Sequence, residues 1–278
     1  MPELPEVEVN RKGLDKLVKG KKIKNINVFW KRIVVQFEEN PNVLEPLIDE
    51  TILSVDRRGK YLLFRFPESY LVSHLRMEGK YFYFPEEEVP LTKDKHTHVI
   101  IEFHDKSQLH YNDVRKFGRM EYVPKNLIKT FFAERKIGPE PTEAEFHIEE
   151  FKDQLEKSKQ PIKTALLSQK IVTGLGNIYV DEVLFEAQIH PQTVGSQLSD
   201  KKINTLYHAI INIMSKAVEL GGSTIRSYRN TVGEAGRYQN ELKVYGKTGE
   251  PCVRCQTPIE KIRVAQRGTH FCPDCQRL

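Results

Sequence analysis

No cysteine occurs before position 252 of this 278-residue chain, although four follow. A fold stapled throughout by disulfides, as in small secreted domains, is therefore not expected. No apolar run reaches the ~18 residues that a membrane-spanning helix requires, and the mean hydropathy is −0.51. The opening MPELPEVEVN is acidic and lacks the apolar core of a secretory signal. No internal repeat is visible. Charge of one sign is scarce too: 43 Lys and Arg against 38 Asp and Glu leave a net charge of +5 and a pI near 8.8. That excess leans toward a polyanionic partner without identifying one. With 39% hydrophobic residues the chain can fill real cores, and its length suits two domains. The expectation is a soluble cytosolic protein.

Residues 2–18 open with Pro2, Pro5 and acidic residues and continue with Val7, Leu14, Leu17 and Val18. Prolines and acids in a first turn followed by helical spacing predict a helix ending near Gly20. From 23 to 123 the pattern changes. KIKNINVFW, RIVVQF, YLLFRF, YLVSHL, KYFYF, HVIIEF and RMEYV are rich in β-branched and aromatic residues, and EENPN, DRRG, PES and HDKS read as turns between them. Many short strands at such spacing predict a sandwich or barrel. From about 131 to 222 the apolar spacing becomes helical in FHIEEFKDQLEK, IKTALLSQKIV, NIYVDEVLFEAQ and INTLYHAIINIMSKAVEL, with IGPEPTEAE as a linker. TGLGN sets Asn177 at a helix start, where its side chain would serve as N-cap. The polar stretch from 221 to about 240 reads as a loop.

The tail carries the first chemical signal. Cys252-x2-Cys255 and Cys272-x2-Cys275 are separated by sixteen residues. Two close thiolate pairs can complete a tetrahedron around one zinc ion at about 2.3 Å per bond. The alternatives are two disulfides or four free thiols, which a reducing compartment disfavours. Four protein ligands leave no open position, so the metal is expected to be structural. PIEKIRVAQRGTHF between the pairs alternates like a hairpin, with a Gly that could turn it. Residues 251–278 hold five basic residues (Arg254, Lys261, Arg263, Arg267, Arg277) against two acids (Glu260, Asp274). A metal-pinned basic hairpin suits phosphate contact, although a solvated capping hairpin would look the same.

The second signal is the N-terminus. Removal of Met1 would expose Pro2 as a secondary amine, and an α-amino group of pKa about 7.7–8.0 is partly neutral near pH 7. Such an amine can attack an electrophilic carbon and give an iminium directly. Glu3 and Glu6 stand beside it as candidate acid–base groups. Read alone, the same residues are also what a helix start prefers.

Seven motifs in order shift that balance: PELPEVE (2–8), RRGKYL (57–62), HLRMEG (74–79), DVRKFG (113–118), GLGNIYVDE (174–182), ELKVYGK (241–247) and the paired cysteines. Over essentially its whole length the chain resembles the bacterial formamidopyrimidine-DNA glycosylases, repair enzymes that excise oxidised purines such as 8-oxoguanine. The resemblance implies an α+β multidomain fold: an N-terminal β-sandwich catalytic domain with a leading helix (1–130), a helix-two-turns-helix DNA-binding domain with a lesion-recognition loop (131–240), and a C-terminal zinc-finger β-hairpin (241–278). It implies that Pro2 is the nucleophile at C1′, that Glu3 assists departure of the base and opening of the sugar, and that Glu6 supports the amine and bound water. Lys60 would serve the lyase step, and Arg267 would contact phosphate and assist δ-elimination. Met77, Arg115 and Phe117 would fill the void left by the flipped nucleotide, with Arg115 reading the opposite base. Without the resemblance, Met77 and Phe117 would be taken as core residues and Lys60 as a solvated strand-end lysine. His96, Asn177, Lys159 and Lys163 are implied to contact DNA, and residues 221–239 resemble the base-recognition loop. The implied partner is damaged double-stranded DNA, the implied cofactor a single structural Zn2+, and the implied state a cytoplasmic monomer associated with the nucleoid through DNA. The runner-up is an endonuclease VIII-type glycosylase for oxidised pyrimidines. That type typically opens PEGPE, whereas this chain has Leu4. A noncatalytic DNA-binding protein on the same scaffold is the alternative of a different class.

Overall fold

The computed structural model describes residues 1–223 and 236–278. They divide into two compact units, one of Met1–Pro2 and Glu6–Arg135, the other of Glu3–Pro5, Lys136–Ser223 and Arg237–Leu278.

The first unit is a pair of four-stranded antiparallel sheets with a leading helix, α1 (Leu4–Val18). One sheet has the order β1 (Ile23–Val28), β6 (Thr97–Phe103), β7 (Gln108–Asn112), β5 (Lys80–Phe84). The other runs β2 (Ser54–Arg58), β3 (Tyr61–Arg65), β4 (Ser69–His74), β8 (Arg119–Pro124). Their facing side chains make one core, with Ile23, Tyr81, Val99, Ile101 and Tyr111 from the first sheet and Val55, Leu62, Phe64 and Leu71 from the second. Val7, Leu14 and Val18 are fully buried in the same core, since residues seven and four apart share one helix face. The outer face of the second sheet is covered as well: Leu63, Val72 and Val123 pack on Phe131 of α2 (Ile128–Glu134). Burial on both faces explains why β3 is a continuous apolar run rather than an alternating one.

Two departures from the expected strands have physical causes. RIVVQF forms a 3-10 turn (Lys31–Ile33) and loop, joined to β8 through an isolated bridge from Val34 to Met120. Ile33 and Val34 are buried, so their β-branched side chains report packing rather than ladder pairing. Conversely, DRR lies within β2 and QLHYN forms β7. Their polar residues have specific work. Arg57 donates from Nε to Glu8 Oε2 at 2.9 Å, and the Val55 N–H donates to Asp15 Oδ1 at 2.7 Å. Both contacts tie α1 to β2.

The second unit is built around α5 (Asn177–Glu186). Tyr179, Val180, Val183, Leu184 and Phe185 are all fully buried, as expected of a helix that is apolar on all sides. On it pack α4 (Ile162–Leu167), α6 (Asp200–Glu219) and the hairpin of β9 (Glu260–Val264) and β10 (Arg267–Phe271), and α3 (Ile148–Glu156) packs on α6. Residues 237–278 group with these helices rather than forming a unit of their own. Glu182 explains part of that. Its carboxylate accepts the backbone N–H groups of Lys243, Val244 and Tyr245 at 2.9, 3.0 and 2.9 Å. Among the described residues, no helix is long and apolar enough to cross a membrane.

His74 gives the first unit an acid sensitivity. Burial, reinforced by the charges of Arg76 and Lys60, lowers its pKa to about 3, and its Nδ1 accepts the Arg76 N–H at 3.0 Å. The unfolded chain takes up this proton below about pH 6.5, whereas the folded one resists until about pH 3. The stability contributed by neutral His74 is therefore complete above 6.5 and is lost as the pH falls toward 3. His74→Gln should cost about 1–3 kcal/mol at pH 7. Urea midpoints of variant and wild type should converge as the pH is lowered to 4; a constant gap would contradict this account.

Candidate active site and nucleic-acid interface

Glu3 is the most elaborately held of the expected catalytic residues. Its carboxylate accepts the amide N–H groups of Gly176 (2.6 Å), Ile178 (2.9 Å) and Tyr179 (3.3 Å). These are the orphan donors that open α5, and the positive end of the helix dipole strengthens their hold on an anion. The Leu4 N–H adds a bond to the Gly174 carbonyl at 3.0 Å. At Gly176 the approach is so close that a Cβ would overlap the Glu3 side chain. The expectation that Asn177 caps this helix is thereby corrected. Gly176 occupies the cap position without a side chain, Asn177 is the first helical residue, and the capping oxygens come from Glu3. Asn177 instead donates from Nδ2 to the Gly268 carbonyl at 2.9 Å.

In the first unit, Pro2 and Glu6 are buried, Glu6 in the first turn of α1. Lys60 closes the turn from β2 to β3 and is only 5% exposed. A solvated strand-end lysine is therefore not what the structure shows. Met77 lies half-buried in the turn after β4. Phe117 is 49% exposed, with the Arg115 guanidinium 4.7 Å from its ring centroid. Phe117 is thus no core residue; its apolar surface and the cation beside it are presented together from loop 113–118. The backbone carbonyl of His96 accepts the Asp113 N–H at 2.9 Å, which joins the His96 turn to that loop.

Lys163 departs from expectation. Its side chain is fully buried, and its ammonium donates to Asp181 Oδ1 at 2.6 Å and to the Gly268 carbonyl at 3.3 Å. A group so enclosed contacts no phosphate from this position. Burial lowers its pKa, against the pull of Asp181 and then of Glu3, while the charge of Arg267 adds to the lowering. Glu3, Lys163 and Arg267 thus share one electrostatic neighbourhood within the second unit. Asp181 also accepts the His270 N–H at 2.9 Å through Oδ2, so one carboxylate joins α4, α5 and β10. Sequence reasoning missed Asp181, although a carboxylate in the middle of the apolar NIYVDEVLFE was the available signal. Lys159, between α3 and α4, is exposed as a phosphate contact requires.

The four cysteine sulfurs lie within 4.8 Å of one another. The Cys255–Cys272, Cys255–Cys275 and Cys252–Cys275 separations are 3.4, 3.5 and 3.9 Å, near the edge of about 3.8 Å expected for a zinc–thiolate tetrahedron. Backbone N–H groups of Arg254 and Cys275 point at Cys252 and Cys272, each at 3.4 Å. This donor set fits one zinc ion. The hairpin turns at Ala265 and Gln266, both with positive φ (45° and 62°), not at the expected Gly268, which pairs with Arg263 inside the ladder. Arg267 stands exposed just after that turn.

Three family models cover the chain: the formamidopyrimidine-DNA glycosylase N-terminal domain at residues 1–120, the H2TH domain of the same glycosylases at 137–229, and the zinc finger found in FPG and IleRS at 249–278. A formamidopyrimidine-DNA glycosylase of Enterococcus faecalis is 52% identical, over all of this chain and 98% of its own length. This chain belongs to the formamidopyrimidine-DNA glycosylase family. The fold agrees. Lactococcus lactis Fpg in complex with DNA containing an abasic site matches with a TM-score of 0.92 at 47% identity, covering 99% of this chain and 100% of that one. A MutM complex with DNA containing carbocyclic 8-oxo-G matches with a TM-score of 0.92 at 46% identity over the full length of both. These matches favour the glycosylase for oxidised purines over the endonuclease VIII alternative. Most of the stretch resembling the family's base-recognition loop lies outside the described residues.

The zinc site generates one prediction. Cys272→Ser should leave less than one zinc per chain and weaken DNA binding through loss of Arg267 placement. Metal analysis and a binding titration check it; full zinc with wild-type affinity would contradict it. The buried pair generates another. Lys163→Met leaves Asp181 charged and uncompensated, so denaturant unfolding should show a loss of about 3–5 kcal/mol.

Proposed function

We propose that this protein is a bifunctional DNA glycosylase and abasic-site lyase of base excision repair, acting on 8-oxoguanine and formamidopyrimidine lesions in duplex DNA. Membership of the glycosylase family supports this reading. The observation that carries it to particular residues is the Glu3 carboxylate seated on the amides of α5, in one electrostatic neighbourhood with Lys163 and Arg267. We assign residues 1–130 to catalysis, 131–240 to DNA binding and lesion recognition, and 241–278 to the zinc finger.

In this mechanism the neutral Pro2 nitrogen attacks C1′ of the flipped nucleotide, and the bond from C1′ to the base breaks with its electron pair leaving on the base. Glu3 handles the protons. Its carboxylate, held as an acceptor by three amides, can take a proton and return it to the sugar oxygen as the ring opens. Glu6 supports the amine and its water. The product iminium withdraws electrons from the sugar, so loss of the C2′ proton expels the 3′ phosphate and a further elimination expels the 5′ phosphate. Lys60 serves these proton transfers, and Arg267 holds phosphate. Met77, Arg115 and Phe117 occupy the emptied position in the stack. His96, Lys159 and Asn177 contribute contacts to the DNA. Zinc held by Cys252, Cys255, Cys272 and Cys275 supplies no chemistry beyond fixing the hairpin. The protein works as a cytoplasmic monomer, associated with the nucleoid through DNA.

The decisive assay uses an oxidised-guanine duplex and an abasic duplex, each with borohydride. Retained Met1 acylates the Pro2 nitrogen and removes its lone pair, so both adducts should vanish. Glu3→Gln should lower excision about 10²–10⁴-fold while still trapping the preformed abasic aldehyde, which has no base to expel. An adduct mapped to Lys60 in a Met1-retaining protein would overturn the assignment.

DNA affinity should fall steeply with salt, by about 0.9 logarithmic units per phosphate contact for each tenfold rise. Arg115→Ala should erode discrimination of the base opposite the lesion more than it changes that slope. Equal loss for every opposing base would remove Arg115 as the reader.

A further inference from the structure

Met77 and the Arg115–Phe117 pair come from different loops, residues 75–79 and 113–118. Each loop is closed on itself. The Gly79 N–H donates to the Leu75 carbonyl at 3.0 Å. The wholly buried Asp113 accepts the N–H groups of Arg115 at 3.0 Å and Gly118 at 2.7 Å. Between the closing glycines stands one side chain, Tyr111 of β7. A Cβ added at Gly79 would overlap the Tyr111 hydroxyl, and so would a Cβ added at Gly118. Both backbones therefore rest directly on the same phenol oxygen, and both positions exclude any larger residue.

The phenol itself has little freedom. Tyr111 is 1% exposed and pairs with Tyr81 across β5 and β7, with ring centroids 5.1 Å apart in an edge contact. Its hydroxyl is buried without a well-formed hydrogen bond. Burial, and then the nearby charge of Asp113, raise its pKa well above the usual phenol value, so it remains a neutral spacer. A buried hydroxyl that forms no well-aligned bond with its polar neighbour, the Asp113 carboxylate, is destabilising, and a core tyrosine here could be phenylalanine if packing alone mattered. The oxygen is the atom that touches both loops.

We infer that Tyr111 is a positioning residue for void filling: its hydroxyl is the common stop against which the Met77 loop and the Arg115–Phe117 loop are set, so that the three side chains enter the DNA stack in one fixed arrangement. The inference rests on the glycosylase reading above. Removing the oxygen leaves a gap between the two glycines, and the loops can then settle independently.

The test uses the full-length, zinc-loaded protein with Met1 removed. Tyr111→Phe deletes only the phenol oxygen and should fold normally. One substrate is an 8-oxoguanine duplex with 2-aminopurine beside the lesion, whose fluorescence rises when the stack is wedged open. The other is a single strand with an abasic site, which has no stack to fill. Tyr111→Phe should lower kcat for excision from the duplex about tenfold, as misplaced side chains do, and reduce the fluorescence rise. Cleavage of the single-stranded abasic site should stay within twofold. In a Met77→Ala background, Tyr111→Phe should produce much less than its tenfold loss, because the two changes break one arrangement. Wild-type excision and fluorescence in Tyr111→Phe, equal losses on both substrates, or a full additional tenfold loss in the Met77→Ala background would each overturn the inference. A wild-type protein inactive on both substrates would instead remove the glycosylase reading, and the role of Tyr111 with it.

Discussion

The seating of the Glu3 carboxylate on the first amides of α5 is the constraint from which the proposed active site follows. A helix that opens without a side-chain cap leaves buried N–H groups unsatisfied, and α5 begins at Gly176 and Asn177 with no cap of its own. The chain's N-terminus supplies the missing acceptor. A carboxylate that completes a central helix cannot drift without exposing buried donors, so the residue next to the proposed nucleophile is held by the same bonds that finish the fold. Gly176 is small because Glu3 must come that close.

A second carboxylate has the same logic at the other end of the chemistry. Asp181 receives the Lys163 ammonium and the His270 amide, and Lys163 and Asn177 both donate to the Gly268 carbonyl. The zinc hairpin is therefore held twice, by four thiolates at its base and by this buried network behind its tip, where Arg267 projects. A solvated lysine would have touched DNA directly. Lys163 instead uses its charge inside the protein, where a low-dielectric surrounding makes an ion pair strong and its disruption costly.

In the first unit the conspicuous chemistry lies on loops while rigid strands hold them. Phe117 is half exposed with a guanidinium beside its ring, an arrangement suited to entering a base stack rather than a core. The loops that carry Phe117 and Met77 are short, closed by their own hydrogen bonds and backed by buried aromatic residues. Such support keeps a wedge effective, since a wedge that yields does not part stacked bases.

Local composition determined much of this protein. The leading helix, eight of the ten strands among the described residues, the main helices and the cysteine tetrad could be read from it, because periodicity, propensity and ligand spacing are properties of neighbouring residues. The ordered motifs pointed to the family as well. Local pattern misread RIVVQF, whose β-branched residues fill a core without entering a ladder, and overlooked β2 and β7, where Arg57 is held by Glu8 and Asn112 by Asp94. It also placed the cap on Asn177, while the resemblance implied a DNA contact for Lys163 that its burial excludes. Only the tertiary structure decided these points, since whether a lysine meets water or Asp181, and which oxygen caps α5, depend on residues brought together from distant parts of the sequence. Tyr111 belongs to the same class: two glycines and a tyrosine carry no joint signal in one dimension, and their meaning arises when the sheet sets one phenol oxygen against both loops.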